Sequence, residues 1–269
     1  MRRIAHLSDL HFGKIDPRTL DPLVEAVHAL APDVVAISGD LTQRARREQF
    51  RKVRAYLLRL PLPQVVVPGN HDIPFYDVVT RFLRPLSRFR RFISADLAPA
   101  YADEEIAVVG INTARSRTFK SGRVNVRQVE TAVGRLTESG ARVRMVVTHH
   151  PFELPEGHSS RDLVGRAAMA MRRLADARVD VLLAGHLHVS HTLATSGRYR
   201  ILGHSALVVA AGSATSTRLR EAEKNSFNLL TVNGSRVIVE RYVFDGRAFR
   251  PGPSERFARR DGEWERETE

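Results

Sequence analysis

Ile4-Ala5-His6-Leu7-Ser8-Asp9-Leu10-His11 begins as a short apolar strand and stops on a carboxylate and an imidazole two positions apart. The pattern returns along the chain. Val34-Val35-Ala36-Ile37-Ser38 runs into Gly39-Asp40, and Val65-Val66-Val67 is followed by Gly69-Asn70-His71-Asp72. Val143 to Thr148 leads to His149-His150-Pro151, and Val179 to Ala184 leads to Gly185-His186-Leu187-His188. Runs of β-branched residues bounded by Gly, Pro and Asp read as strands. Helical periodicity fills the spaces at Pro17 to Leu30, Arg44 to Leu60, Val126 to Leu136 and Asp162 to Ala175. In an open α/β sheet, polar residues at the carboxyl ends of strands share one mouth, so all five motifs are expected to meet.

The residue types say what such a meeting is for. Extended backbone would point the side chains of Asp9 and His11 the same way, and His186 and His188 repeat that spacing. Glycines precede Asp40, Asn70 and His186, where a turn must bring backbone close to a ligand. Six of the 11 histidines fall inside the motifs, so the imidazoles are concentrated and not scattered. The chain has 0 cysteines, which excludes disulfides, iron–sulfur clusters and thiolate metal sites. Carboxylate, imidazole and amide donors suit Mn, Fe, Zn or Co, and this set is too rich for one tetrahedral ion.

Beyond His191 the pattern changes. Tyr199 to Leu202, Ala206 to Ala211, Phe227 to Val232 and Val237 to Phe244 read as consecutive strands. The expectation is an α/β sandwich, a βα-rich half on a mostly antiparallel half, forming one domain over residues 1–249. Residues 250–269 are polar and rich in charge, and read as a loose tail or an edge appendage. Hydrophobic residues at 43% and charged residues at 27% fit a globular chain, and no apolar stretch approaches the ~20 residues of a membrane span. Met1-Arg2-Arg3 runs straight into a strand and not into a signal peptide, so a cytoplasmic location is expected. The net charge of +12 could attract polyanions, but the basic residues are nearly all Arg, which points to coding bias ahead of nucleic-acid binding.

Read together, Asp9-Leu10-His11, Gly39-Asp40, Gly69-Asn70-His71-Asp72, His149 and Gly185-His186-Leu187-His188 resemble the calcineurin-like metallophosphoesterase family, whose motifs come in that order. The likeness covers about Ile4 to His191. It implies a four-layer αββα sandwich of two mixed sheets, with two divalent metal ions at the strand ends. By the same resemblance Asp9, His11 and His188 would bind one metal, Asn70, His149 and His186 the other, and Asp40 would bridge both. A metal-bridging hydroxide would be the nucleophile, His71 would protonate the leaving oxygen, and Asp72 would hydrogen-bond to His71 and orient it.

Within the family, the motifs look most like bacterial class III 3′,5′-cyclic-nucleotide phosphodiesterases, which implies a cyclic-nucleotide or similar diester substrate. UDP-2,3-diacylglucosamine-type pyrophosphate hydrolases share the scaffold but usually carry Arg at the position of His71. Nucleases of the superfamily usually add a DNA-binding domain. A metal-stabilised nucleic-acid-binding module is the non-enzymatic alternative; inactive relatives usually lose ligands that are all present here.

Outside the motifs, Asn112 ends the strand Ile106 to Ile111 and is expected to face the same mouth and contact substrate. Arg115, Lys120 and Arg123 behind it could bind phosphate or form a solvated loop. His6, His28, His158, His191 and His204 read as structural, and His150 is open between the two roles. Phe75 to Ile93 carries apolar residues at helical spacing with interleaved Arg, divided at Pro85. It is either a basic, aromatic cap that contacts a large anionic substrate or lipid, or an amphipathic helix packed on the sheet. Apolar segments after Phe227 could pair edge to edge in a homodimer.

Overall fold

The strand read from Ile4 forms as β1 (Arg2–Leu7), followed by α1 (Leu20–Leu30), β2 (Val34–Ser38), α2 (Arg47–Leu57) and β3 (Gln64–Val67). The computed structural model describes residues 1–220 and 223–267. Next come α3 (Val78–Leu83), α4 (Ser87–Phe92), β4 (Ala100–Ala102), β5 (Ile106–Gly110), α5 (Val126–Glu138) and β6 (Val143–Val147). α6 (Ala167–Asp176), β7 (Val181–Ala184), β8 (His191–Ala194) and β9 (Leu207–Ala210) complete the alternating part. β10 (Ser226–Asn233), β11 (Arg236–Phe244), β12 (Phe249–Arg260) and β13 (Glu263–Arg266) close the described chain.

One sheet runs β13-β12-β11-β10-β1-β2-β3 and the other β4-β5-β6-β7-β9-β8. β1, β2 and β3 are parallel, as are β5, β6, β7 and β9, while the outer strands pair antiparallel. The period of two explains how one strand serves two layers. Ile4, Val34 and Ala36 point between the sheets, against Val108, Met145 and Leu183 of the other sheet. Their neighbours Ala5, Leu7, Val35 and Ile37 point outward under α1 and α2, onto Leu23, Val27, Phe50 and Val53. On the far side Val146 and Leu182 meet Val129, Leu136 and Leu174 of α5 and α6. The expected αββα sandwich of two mixed sheets is the architecture. The antiparallel strands do not form a separate half, because β10 pairs directly with β1 and extends the first sheet.

Two other expectations are corrected. Tyr199 to Leu202 is not a strand: Tyr199 donates its hydroxyl to the Phe152 carbonyl at 2.6 Å and Ile201 packs sideways on the outer core. The strand beside β9 is instead β8, paired from His191 to Ala194. Of the two readings of residues 250–269, a loose tail or an edge appendage, the described residues 250–267 fit the second, but the boundary expected after 249 falls inside a strand. β12 spans the expected boundary and pairs with β11, β13 pairs with β12, and Phe257 and Trp264 are buried in the core between the sheets. Phe257→Ala is therefore expected to cost about 3–5 kcal/mol, as a buried aromatic truncation does. Chemical denaturation measures it, and a loss under about 0.5 kcal/mol, the surface range, would contradict the placement.

Candidate metal centre

The loops after β1, β2, β3, β6 and β7 open to one side, and their backbones knit together before any side chain acts. Asp9 N–H donates to Gly39 O at 3.1 Å, His11 N–H to Asp40 O at 2.9 Å, and Gly185 N–H to His149 O at 3.0 Å. Asp9 (φ 53°), His11 (φ 48°), Asp40 (φ 50°), His186 (φ 73°) and His188 (φ 61°) all adopt the left-handed conformation. This corrects the extended backbone expected for the two Asp/His-x-His segments. Non-glycine residues enter that region at a cost, and such strain gathers where a site dictates side-chain direction. A Cβ on Gly69 would overlap the Asp40 carboxylate, and one on Gly185 the Ser8 hydroxyl and Asp9 carboxylate.

The ligand-type atoms form overlapping groups, each with its members within 4.8 Å of one another: Asp9, His11 and His188; Asp9, Asp40 and His149; His149, His150 and His186. Asp40 lies at the centre. Its Oδ1 is 3.4 Å from His149 Nε2 and its Oδ2 is 3.6 Å from His11 Nε2. Asn70 Oδ1 sits 3.1 Å from His149 Nε2, and His186 Nδ1 3.3 Å from the same nitrogen. Carbonyls hold the rings from behind: His149 Nδ1–H donates to Ser38 O at 2.7 Å and His188 Nδ1–H to Arg218 O at 2.8 Å. Both Nε2 atoms are thereby turned toward the carboxylates. Such outer hydrogen bonds fix tautomer and direction in metal-binding imidazoles.

Electrostatics agree. Asp9, His11, Asp40, Asn70, His149, His186 and His188 are all buried. Burial opposes charge on Asp9 and Asp40, yet the surrounding imidazoles hold both carboxyls below their usual range. Burial also pushes the His149 imidazole down, but Asp40 and Asp9 outweigh it and raise the ring to about 9. The cluster is a buried anionic nest that demands positive charge. Asp9 Oδ1 is buried with no hydrogen-bond partner, while Oδ2 accepts from Ser8 Oγ at 2.6 Å and His186 N–H at 3.1 Å. One oxygen is anchored and the other is left for a cation. Oxygen and imidazole donors around such a point fit divalent transition metals.

The residues beside the nest differ from expectation in two places. Asp72 does not bond the His71 ring: it accepts from Leu41, Thr42 and Gly69 N–H at 3.1, 2.9 and 2.9 Å, bracing the loop after β2 against its own loop after β3. The His71 ring is oriented by the Gln43 carbonyl, which accepts from Nδ1–H at 2.9 Å, and Arg218 donates to Nε2 at 3.0 Å. Asn112 is not in this cleft. Its side chain accepts from Ala114 N–H at 2.9 Å in its own turn, and it lines a separate cavity with Asn125 and Gln128. His150 spends both ring nitrogens, on Thr113 Oγ1 at 2.7 Å and the Lys120 carbonyl at 2.8 Å, so it braces the loop.

The nest opens into a cleft of about 210 Å³ whose walls include His71, Phe75, Arg81, Phe119, Arg218 and Arg220. Lys120 lines it, as one of the two readings allowed, whereas Arg115 is spent on the Ala114 and Asn112 carbonyls. Arg218 and Arg220 were not anticipated. The signal was available: their loop follows β9, which is parallel to β7 and therefore opens at the same mouth. His158, His191 and His204 are not among the cleft residues.

Buried carboxylates, imidazoles and an amide thus lie under a cationic cleft at the strand ends of an αββα sandwich. The chain belongs to the calcineurin-like phosphoesterase family, whose model matches residues 2–190. The family uses a dinuclear divalent metal centre to hydrolyse phosphoesters. The chain is similar to the glycerophosphodiester phosphodiesterase GpdQ of Enterobacter lignolyticus, 28% identical over 59% of this chain and 60% of that protein. It is also similar to a probable cyclic nucleotide phosphodiesterase of Ruthia magnifica, 21% identical over 68% of this chain and 77% of that one. A third relative, the UDP-2,3-diacylglucosamine pyrophosphatase LpxG of Chlamydia muridarum, is matched over 23% of its length at 35% identity. The chain thus spans at most about 60% of the first and third of these relatives. Among solved structures the fold matches PhoD with a TM-score of 0.75 at 10% identity, over 99% of this chain and 71% of that one. It matches a Danio rerio dimetal phosphatase with a TM-score of 0.63 at 12% identity, over 93% and 98%. No helix among the described residues is long and apolar enough to cross a membrane.

Proposed function

We propose that the chain is a phosphodiesterase acting on a small diester, a 3′,5′-cyclic nucleotide or a chemically similar ester. The observation that carries this reading is Asp40, with one carboxylate oxygen beside His149 and the other beside His11. Asp9, His11 and His188 would hold one divalent cation, Asn70, His149 and His186 the other, and Asp40 would serve both. Two such cations supply positive charge to the phosphoryl oxygens and lower the pKa of a water molecule.

The chain's own side chains do the rest. Arg218 and Arg220 face the cleft, where they can pair with non-bridging phosphoryl oxygens and stabilise the charge that develops there. His71 stands at the mouth of the nest with Nε2 toward the cleft and Nδ1–H held by Gln43. A proton at Nε2 would pass to the leaving alkoxide as the P–O bond breaks, and Arg218 would turn from His71 to the phosphate. Phe75 and Phe119, with ring centroids 5.0 Å apart at the cleft wall, offer a surface on which a nucleobase can stack.

The acid role is tested by leaving-group dependence. His71→Asn is expected to lower kcat on an alkyl diester by about 10²–10⁴-fold, and on a nitrophenyl diester, which needs little protonation, far less. Equal losses on both esters would remove His71 from the proton transfer. The substrate class is tested by a panel of diesters and monoesters with Mn²⁺. Faster turnover of monoesters than of cyclic AMP and other diesters would contradict the reading.

A further inference from the structure

We propose that α3, with the arginines beneath it, is a docking surface for an anionic lipid bilayer. α3 packs only lightly on the fold: Val79 is 69% exposed, Phe82 55% and Leu83 76%, with Val78 and Tyr76 exposed beside them. A six-residue helix that turns this much apolar surface to water has an unpartnered face. Directly below, a cavity of about 480 Å³ is lined by Val79 and Leu83 together with Arg47, Arg84, Arg88 and Arg91. Arg88 is committed to Asp77 at 2.5 Å and to the Ala45 carbonyl. Arg47, Arg84 and Arg91 make no ion pair with a carboxylate among the described residues. Exposed aliphatic side chains that share a cavity with several guanidinium groups match the chemistry of a membrane surface, acyl chains for the first and anionic headgroups for the second.

The other occupants fit less well. A second copy meeting this face about a two-fold axis would set the same arginines against one another. A nucleic acid would meet the arginines and could stack on Phe82 or Tyr76, but it would leave Val78, Val79 and Leu83 in water. The docking face adjoins the cleft, because Phe75 lines the cleft and Tyr76 accepts from Arg44 on its rim at 2.7 Å. The inference does not depend on which ester is hydrolysed.

Flotation with phosphatidylcholine vesicles, alone and mixed with phosphatidylglycerol, tests it on the full chain. The expected result is flotation with the anionic vesicles and not with the neutral ones. The double variant V79S/L83S keeps the net charge and is expected to weaken anionic binding at least about tenfold, at about 1.4 kcal/mol per factor of ten. R84Q/R91Q should weaken it and flatten its salt dependence, while Leu202→Ser, on an exposed loop, should change nothing. Unchanged hydrolysis of a soluble diester by V79S/L83S shows that the fold is intact. Absence of flotation overturns the proposal. So does wild-type binding by V79S/L83S, which would mean that overall charge holds the protein to the vesicle. A dimer in solution that V79S/L83S dissociates, without vesicle binding, assigns the face to a second copy and also overturns it.

Discussion

Asp40→Ala is expected to leave at most one divalent ion per chain and to lower diester hydrolysis by about 10³-fold or more. The size of the effect follows from the position of the carboxylate. Asp40 is buried, sits within 3.6 Å of imidazoles from two different loops, and accepts the His71 N–H at 2.8 Å. Removing it takes a shared counter-charge from both halves of the nest at once. Asp9 alone would then face the cations, at one end of the cluster. Loss of a single oxyanion-type donor costs about 10²–10³-fold in other enzymes, and here charge and ligand are lost together. Metal analysis of the purified variant, with an aryl phosphodiester assay, decides it. Full occupancy and full activity would be incompatible with a bridging role.

The second large effect comes from a methyl group. Gly185→Ala is expected to lower metal occupancy and activity sharply and to cost about 1–3 kcal/mol of stability, the usual penalty of overpacking. The added Cβ would overlap Ser8 Oγ and press on Asp9 Oδ2, the oxygen that anchors the carboxylate. Neither group can retreat, since Ser8 is buried at the end of β1 and Asp9 is tied to Gly39 O. Gly134 is the control. It lies within α5 with nothing within 4 Å of an added Cβ, so Gly134→Ala should stabilise the helix by about 0.5–1 kcal/mol and leave metal binding untouched. Thermal denaturation and metal content measure both variants. A Gly185→Ala protein with wild-type metal content would show that the loops are looser than the packing implies.

The clustering of the seven proposed ligands was legible because strand-end motifs carry their chemistry in the letters. Asp9, His11, Asp40, Asn70, His149, His186 and His188 stand after apolar strands, and topology does the gathering. What the letters hide is the backbone. Left-handed conformations at five of these residues cannot be read from Asp or His, which adopt extended backbone just as readily. The partner of Asp72 was hidden for a related reason: a carboxylate beside an imidazole in sequence turned instead to two backbone N–H groups of the loop after β2 and one of its own loop. Asn112 ends the right strand, but its amide closes its own turn.

The far end of the chain was hidden by its prolines. Pro251 and Pro253 argue against a strand, yet they fall in β12 beyond the stretch paired with β13, where the strand is an edge. Proline is tolerated on such an edge because no ladder hydrogen bond is lost there. Phe257 and Trp264, spaced to reach the inter-sheet core, were the readable signal.

The central claim is that one buried nest holds two cations and hydrolyses a phosphoester. Metal stoichiometry of the purified chain, read together with hydrolysis of a phosphodiester before and after chelation and after return of Mn²⁺, tests it most directly. The expected result is two divalent ions per chain, loss of hydrolysis with their removal, and recovery on their return. A chain that binds one ion or none and hydrolyses the ester equally well in chelator would contradict it.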